Sequence, residues 1–243
     1  YEVFFAADNP QLQDFQALER VYSKDDNILI ALAPRDGDMF SRATLAAIED
    51  LTRSAWQVPY SHRVDSISNF QFSSASGDDL LVADMVKDAN KLNDTELAQI
   101  RHRVLAEPSL LQRLISPDGR VTGINIKIQI PHELATRMTP EVVNYVRRMV
   151  AAWKTRHLGI DTYMTGIIVM DNALSEASLA DIKGLVPVSF AVMALTLGLL
   201  IGGWAGTGVT VVIIGLSTLA AMGLAGYAGL PITPPTCLLY TSP

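Results

Sequence analysis

The last quarter of the chain contains no charged side chain, and this feature constrains the fold more than any other. Lys183 is the last Asp, Glu, Lys or Arg, and two apolar runs follow it, Leu185 to about Trp204 and about Gly208 to Gly229. A helix needs about 20 apolar residues to cross a bilayer core of about 30 Å. The sequence therefore predicts two transmembrane helices, joined by a tight loop at Ala205–Thr207.

A buried helical hairpin in a large soluble core is the alternative explanation of these runs. It is disfavoured because soluble helices seldom run this far without a charge. A signal peptide is excluded, since the runs follow a full domain. Every charged residue lies before Gly184, so the net charge of −6 belongs to the first part of the chain. This acidity argues against a nucleic-acid-binding surface, which requires clustered basic residues.

The first part of the charged region predicts a helix and then a β-α-β unit. Asp8-Asn9-Pro10 offers a polar cap followed by proline, which favours a helix start. Asn27 to Pro34 is an apolar run that ends in a turn sequence, as in a buried strand. Ser41 is predicted to cap the next helix, and Val64 to Phe72 to form the second strand.

A second β-α-β unit is predicted further along the chain. Val121 to Ile130 alternates between apolar and polar residues, which is typical of a half-buried strand. Its four alternate isoleucines are expected to face the core from a central strand: Ile124, Ile126, Ile128 and Ile130. Thr139-Pro140-Glu141 predicts a helix start, and Ile160 to Thr165 is the last strand. A helix from around Asp171 is expected to run into the membrane.

An insertion of about residues 73–120 separates the two units. Ser73 to Asp79 is predicted to be a polar loop. Asn93–Glu96 has the spacing of a capping box, whose helix is expected to reach about Ala106, and Pro108 is predicted to begin another short helix. Without the insertion, the order β-α-β then β-α-β predicts an α+β fold of the ferredoxin-like, split βαβ type.

No pattern in the chain indicates an enzyme. The four histidines show no metal-ligand spacing and are expected on the surface; they are His62, His102, His132 and His157. Asp36-Gly37-Asp38 lacks the rest of a calcium loop and is predicted to be a turn. The serines lack the Gly-x-Ser-x-Gly pattern of hydrolases. We therefore expect no catalytic residue, no metal and no cofactor.

The second apolar run carries a stripe of small residues. Ser217, Ala221, Ala225 and Gly229 recur every four residues, so they lie near one line of a helix. In lipid, small residues let helix backbones approach closely, which favours packing. This small-residue stripe is predicted to face another transmembrane helix of the same protein. The alternative is that it reflects only the Gly and Ala content of membrane helices.

Several segments resemble the resistance-nodulation-division (RND) superfamily of membrane transporters. The resemblance is to the branch of predicted bacterial exporters grouped with the mycobacterial-membrane-protein-large (MMPL) and sterol-sensing-domain proteins, and it covers essentially everything before Cys237. The segments are Tyr1–Pro10, Arg63–Gln71, Leu114–Thr122, Ser175–Asp181, Leu219–Gly226 and Pro231–Pro235.

The resemblance implies where each part lies. In this family a first transmembrane helix leads into a periplasmic domain of ferredoxin-like modules, and the second and third helices follow. It implies that residues 1–183 are a periplasmic domain and that residues 184–236 hold two helices of a multi-pass protein of the bacterial inner membrane. The chain is expected to be a fragment that starts after the first helix and ends before the fourth.

Residues 237–243 are expected to be a sequencing-adapter artefact, in which case Cys237, the only cysteine, is not part of the protein.

The resemblance also implies a function. The family's proton-relay carboxylates lie in the fourth helix, so no residue here is assigned that role. The expected function is a proton-motive-force-driven exporter of hydrophobic or lipid-like substrates. The alternative is a non-transporting membrane sensor or assembly factor whose outer domain binds a protein or lipid partner. Membrane lipids, a hydrophobic small-molecule or lipid substrate and the remaining transmembrane helices are the expected partners. Nucleic acid is not expected, and a homo-oligomer stays open.

Overall fold

The computed structural model describes residues 9–21, 26–76, 79–201 and 203–228. Its helices are α1 (Pro10–Val21), α2 (Arg42–Ala55), α3 (Asp94–Ala106), α4 (Ala135–Arg156), α5 (Ile167–Lys183), α6 (Leu185–Ile201) and α7 (Trp204–Tyr227). Its strands are β1 (Asn27–Pro34), β2 (Ser61–Asp65), β3 (Gln71–Ser76), β4 (Asp79–Asp84), β5 (Thr122–Ile128) and β6 (Ile160–Thr165). One compact unit spans Ser23–Asn172, and a second contains α1, α6, α7 and most of α5.

A four-stranded sheet forms the centre of the Ser23–Asn172 unit. Its strand order is β2-β5-β1-β6, and every neighbouring pair is antiparallel. The predicted central strand is confirmed, because Ile124, Ile126 and Ile128 of β5 are fully buried and Ile130 is half-buried just beyond its end. Alternate residues of a strand point to opposite faces, so one face of the sheet carries the core.

Two helices cover the apolar face of the sheet. The Ser41 hydroxyl caps α2 by accepting the Thr44 N–H at 3.2 Å, which confirms the predicted start of this helix. Trp153 of α4 is buried, and its Nε1 donates to the Ala47 carbonyl of α2 at 3.1 Å. Together α2, α4 and the sheet enclose one hydrophobic core.

The predicted start of α4 is wrong by one turn. The helix begins at Ala135, so Pro140 lies inside it rather than at its first position. Proline has no N–H to donate, which removes one bond of the helical ladder. The residues before it include Ala, Arg and Met, which are strong helix formers. They extend the helix toward the N-terminus, so it begins before the start that Thr139-Pro140-Glu141 indicates.

The predicted strand at Val64–Phe72 is interrupted in the middle. The β2 strand ends at Asp65 and β3 begins at Gln71. Between them, the buried hydroxyls of Ser66 and Ser68 lie 2.8 Å apart, and both bond to the Thr52 hydroxyl of α2, at 3.0 and 3.2 Å. Serine side chains that bond locally compete with strand pairing, and here a bend at residues 67–69 replaces it.

The insertion contains a two-stranded ribbon as well as helix. Residues predicted as a polar loop belong to strands, since β3 includes Ser73–Ser76 and pairs with β4 from Asp79 onward. Backbone hydrogen bonds between β3 and β4 hold this ribbon together. The side chains of β3 are mostly polar, so its sequence lacks the alternation of apolar and polar residues that would indicate a strand. The capping box at Asn93 and Glu96 is confirmed, and α3 ends at Ala106 as expected. The short helix predicted at Pro108 is wrong, since residues 108–110 form a turn.

Two helical stretches are long and apolar enough to cross a membrane. They are Ile167–Leu200 and Ala205–Tyr227, which contain 18-residue windows with mean hydropathies of 1.8 and 2.0, respectively. The predicted loop at Ala205–Thr207 is wrong, because these residues form the first turn of α7. The Thr207 hydroxyl donates to the Gly203 carbonyl at 3.2 Å and helps to close that turn. Expectations that concern residues 1–8 and 229–243, including Gly229 and Cys237, lie outside the described residues.

Candidate functional site

A groove with a volume of about 970 Å³ lies on the sheet face opposite α2 and α4. Its floor consists of side chains that alternate with the buried ones along three adjacent strands. They are Asn27 and Leu29 of β1, Asn125 and Lys127 of β5, and Arg63 and Asp65 of β2. We call this site the sheet-face groove, and its volume is in the range of small-molecule binding sites.

The segment Ser109–Leu114 forms one wall of the sheet-face groove. Its end is fixed to β5, because the Leu114 carbonyl accepts both the Gly123 N–H and the Thr122 hydroxyl at 2.8 Å. Glycine leaves room at this place. A Cβ at position 123 would lie 2.9 Å from Cδ1 of Leu29, so the missing side chain lets Leu29 lie over the sheet.

The charges of the groove are mostly positive. Arg63 donates to Asp65 at 2.7 Å, and Arg63 stands directly opposite Lys127 in the register of β2 and β5. Arg113 adds a third cation from the wall. The amide of Asn27 donates to the Asn125 side chain at 2.7 Å, which orders the polar part of the floor.

A second polar pocket lies where the end of α4 meets α2. Arg156 and His157 approach the Asp50 carboxylate, at 3.0 and 3.6 Å, and the His157 ring lies against Trp153 with centroids 4.6 Å apart. Glu49 accepts the backbone N–H groups of residues 88 and 89 at 3.0 and 2.8 Å. The side chains of this pocket therefore bind one another or the backbone, and these contacts connect neighbouring elements of the fold.

Two ion pairs near the sheet and the insertion lower carboxyl pKa values. The Arg35 guanidinium binds Asp161 at 2.8 Å and holds the pKa of that carboxyl below its ordinary value, mainly through the hydrogen bond. Lys91 lowers the pKa of Asp88 in the same way at 3.0 Å. Both pairs are exposed, so their contribution to folding is small.

The apolar helices satisfy most of their hydroxyl groups internally. Thr196, Thr210 and Thr218 each donate to the carbonyl four residues earlier, at 2.9 to 3.0 Å. This matters in lipid, where polar groups find no water. Ser217 makes no such bond within the described part of the chain, and both it and Ala221 are exposed.

The family model that matches this chain is that of the MMPL family, over residues 4–232. The chain belongs to the MMPL family. The match covers both the α+β unit and the two long apolar helices, and it confirms the resemblance found in the sequence. None of the curated proteins matches the chain. Family membership and the two apolar helices together indicate a membrane protein.

The structure places the predicted residues of this MMPL-family chain as follows. Ser217, Ala221 and Ala225 follow one another on α7 with Ala225 half-buried, so whether the stripe meets another helix stays a prediction. Among the histidines, His62 and His102 are exposed. Within the described ranges no three His, Cys, Asp or Glu side chains are grouped to hold a metal.

Sequence reasoning missed the sheet-face groove. Its lining comes from β1, β2, β5, the first residue of β3, Trp56 just after α2 and two connecting segments, which are distant from one another in the sequence. The one available signal was the polar side of β5, since Asn125 and Lys127 alternate with its isoleucines. Alternation shows which face a residue takes, but it does not show that a wall encloses that face.

Proposed function

We propose that this MMPL-family chain supplies an extracytoplasmic domain and two transmembrane helices to a proton-motive-force-driven exporter of hydrophobic or lipid-like substrates. The family match over residues 4–232 carries this proposal, because it includes both the water-exposed unit and the membrane segments. The proposed location is the bacterial inner membrane, with the α+β unit in the periplasm.

The proposed architecture of the outer unit is ferredoxin-like. Two β-α-β units follow each other in the chain, β1-α2-β2 and β5-α4-β6, and their four strands form one antiparallel sheet. The order β2-β5-β1-β6 interleaves the two units, as in the split βαβ pattern. The connection between β2 and β5 carries the ribbon and α3 as an insertion.

The proposed proton path lies outside α6 and α7. An ionisable side chain inside a bilayer is costly and marks an ion pathway. The sequence from Gly184 onward contains no Asp, Glu, Lys or Arg, so these helices offer no carboxylate for a proton relay. Their proposed role is to anchor the outer unit and to pack against the helices that carry protons.

The test compares the envelope lipids of cells with and without the full-length protein. The lipid species that reach the outer envelope only when the protein is present are its candidate substrates. We expect a brief protonophore treatment to abolish their export while cellular ATP is held constant by glycolysis. Export that continues unchanged without the gradient would overturn the proposed energy coupling. Identical lipid profiles with and without the protein would overturn the exporter itself.

A further inference from the structure

The four-stranded sheet has two outer strands, β2 and β6, and they differ in how their edges are protected. The register of β2 shifts at a bulge between Ser61 and Arg63, and His62 and Arg63 are exposed there. Bulges and charged side chains are devices by which proteins block pairing at an open edge. The β6 strand pairs with β1 over six residues without a shift, and its sequence, IDTYMT, has no proline and no basic residue. These devices are therefore missing from β6.

The hydrogen bonds of β6 identify the backbone groups at its outer edge. The Arg35 N–H donates to the Gly159 carbonyl at 2.9 Å, and opposed residues of antiparallel strands alternate between bonded and non-bonded pairs. In the register of β1 and β6, every second residue counted from Gly159 therefore bonds to β1. The peptide groups of Thr162 and Met164 point away from β1, and no described residue forms a hydrogen bond with them.

The side chains of β6 favour a protein partner at this edge. Tyr163 lies between Thr162 and Met164, and its side chain is 65% exposed on the sheet face opposite α2 and α4. Asp161 is the one charged residue of the strand, and Arg35 already binds it at 2.8 Å. A partner that adds a strand would supply hydrogen bonds to the open peptide groups and an apolar contact to the aromatic ring.

We infer that β6 pairs with β6 of a second copy of the protein, antiparallel and centred on Tyr163. Thr162 of each copy then lies opposite Met164 of the other, and each of these two pairs exchanges two hydrogen bonds. All the open N–H and C=O groups of Thr162 and Met164 are satisfied in this way. The two Tyr163 side chains meet at the centre as an aromatic cross-strand pair, and Asp161 lies opposite Thr165 rather than opposite a like charge.

The symmetry of the edge favours a second copy over an unrelated strand. The open groups lie evenly on both sides of Tyr163, so β6 is complementary to itself, as a two-fold interface between identical copies requires. A pairing centred on Thr162 would instead place Met164 opposite Ile160. The Ile160 N–H already donates to the His157 carbonyl at 3.2 Å, so the Met164 carbonyl would lack a donor.

The test is disulfide cross-linking of the full-length protein in native membranes, with its natural cysteines replaced by serine. A contact between two six-residue strands is smaller than the interface of a stable soluble dimer, and the membrane raises the local concentration of the copies. Tyr163→Cys places two cysteines at a non-bonded pair with Cα atoms about 4.5 Å apart, within reach of a disulfide. Thr165→Cys is the matched control, because it is exposed on the same face of the same strand. Its two Cα atoms would lie about 13 Å apart, too far for a disulfide.

We expect Tyr163→Cys to give at least about tenfold more cross-linked dimer than Thr165→Cys. Copies that carry Asp161→Cys and Thr165→Cys should each fail to link alone and should link to each other when they are coexpressed with different tags. Equal yields from Tyr163→Cys and Thr165→Cys would indicate random collision and overturn the proposal. No dimer from Tyr163→Cys would also overturn it. A photo-cross-linker at position 163 that reacts only within its own polypeptide would assign the edge to another segment of the full-length protein and exclude the second copy.

Discussion

Trp153 allows the packing of the α+β unit to be tested in two separable steps. Its side chain is 1% exposed, and its Nε1 donates to the Ala47 carbonyl at 3.1 Å. Trp153→Phe keeps most of the buried area and loses the hydrogen bond, so we expect a loss of about 1 kcal/mol. Trp153→Ala also opens a cavity, and such substitutions cost about 3–5 kcal/mol.

The assay is hydrogen–deuterium exchange of the full-length protein in nanodiscs, read at the most protected amides of α2 and β5. Each 1.4 kcal/mol is about a tenfold change in an equilibrium constant, so exchange should accelerate about fivefold for Trp153→Phe and at least about a hundredfold for Trp153→Ala. Leu158→Ala is the control, because Leu158 is 73% exposed. Equal, small effects of all three substitutions would refute the packing of α4 against α2.

Three further outcomes are expected. Ala221→Leu and Ala225→Leu should impair assembly and export, because the larger Leu side chain holds neighbouring helices apart. Val212→Leu, on another face of α7, is the control and should not impair them. Equal behaviour of all three variants would mean that the stripe reflects only the Gly and Ala content of membrane helices. Asn93→Ala should weaken α3 by about 1 kcal/mol, seen as faster amide exchange in its first turns; unchanged exchange there would contradict the capping box. Asp161→Asn should slightly destabilise the Ser23–Asn172 unit at neutral pH, because it removes the ion pair with Arg35. The pKa of Asp161 is lowered in the folded state, so its carboxyl stabilises that state only while it is ionised. Acid denaturation should show this difference vanishing as the pH falls through that lowered pKa, and a difference that persists in acid would argue against the ion pair.

The elements that were predicted from the sequence are those with strong local signals. The β5 strand alternates isoleucine with polar residues, and β1 is a short apolar run closed by a turn. Ser41 and the pair Asn93 and Glu96 cap their helices through bonds that only local spacing determines. The absence of charge after Lys183 likewise required no tertiary information.

The elements that were missed depend on tertiary contacts or on backbone pairing. The break between β2 and β3 arises because Ser66 and Ser68 bond to Thr52 of a neighbouring helix. The β3-β4 ribbon is paired through its backbone, so its serines resemble a loop. The sheet-face groove could not be predicted because the pairing of β2 with β5 brings Arg63 opposite Lys127, and Arg113 joins them only when the wall segment bonds back to β5.

Reconstitution tests the central proposal most directly. The purified full-length protein is placed in liposomes that contain the lipid species whose export depends on it in cells, and a pH gradient is imposed. Movement of that lipid between leaflets is followed by quenching of a fluorescent derivative from outside. We predict movement that requires both the protein and the gradient and that stops when an ionophore dissipates it. Movement that is the same with and without the gradient, or no movement at all, would contradict a proton-driven exporter.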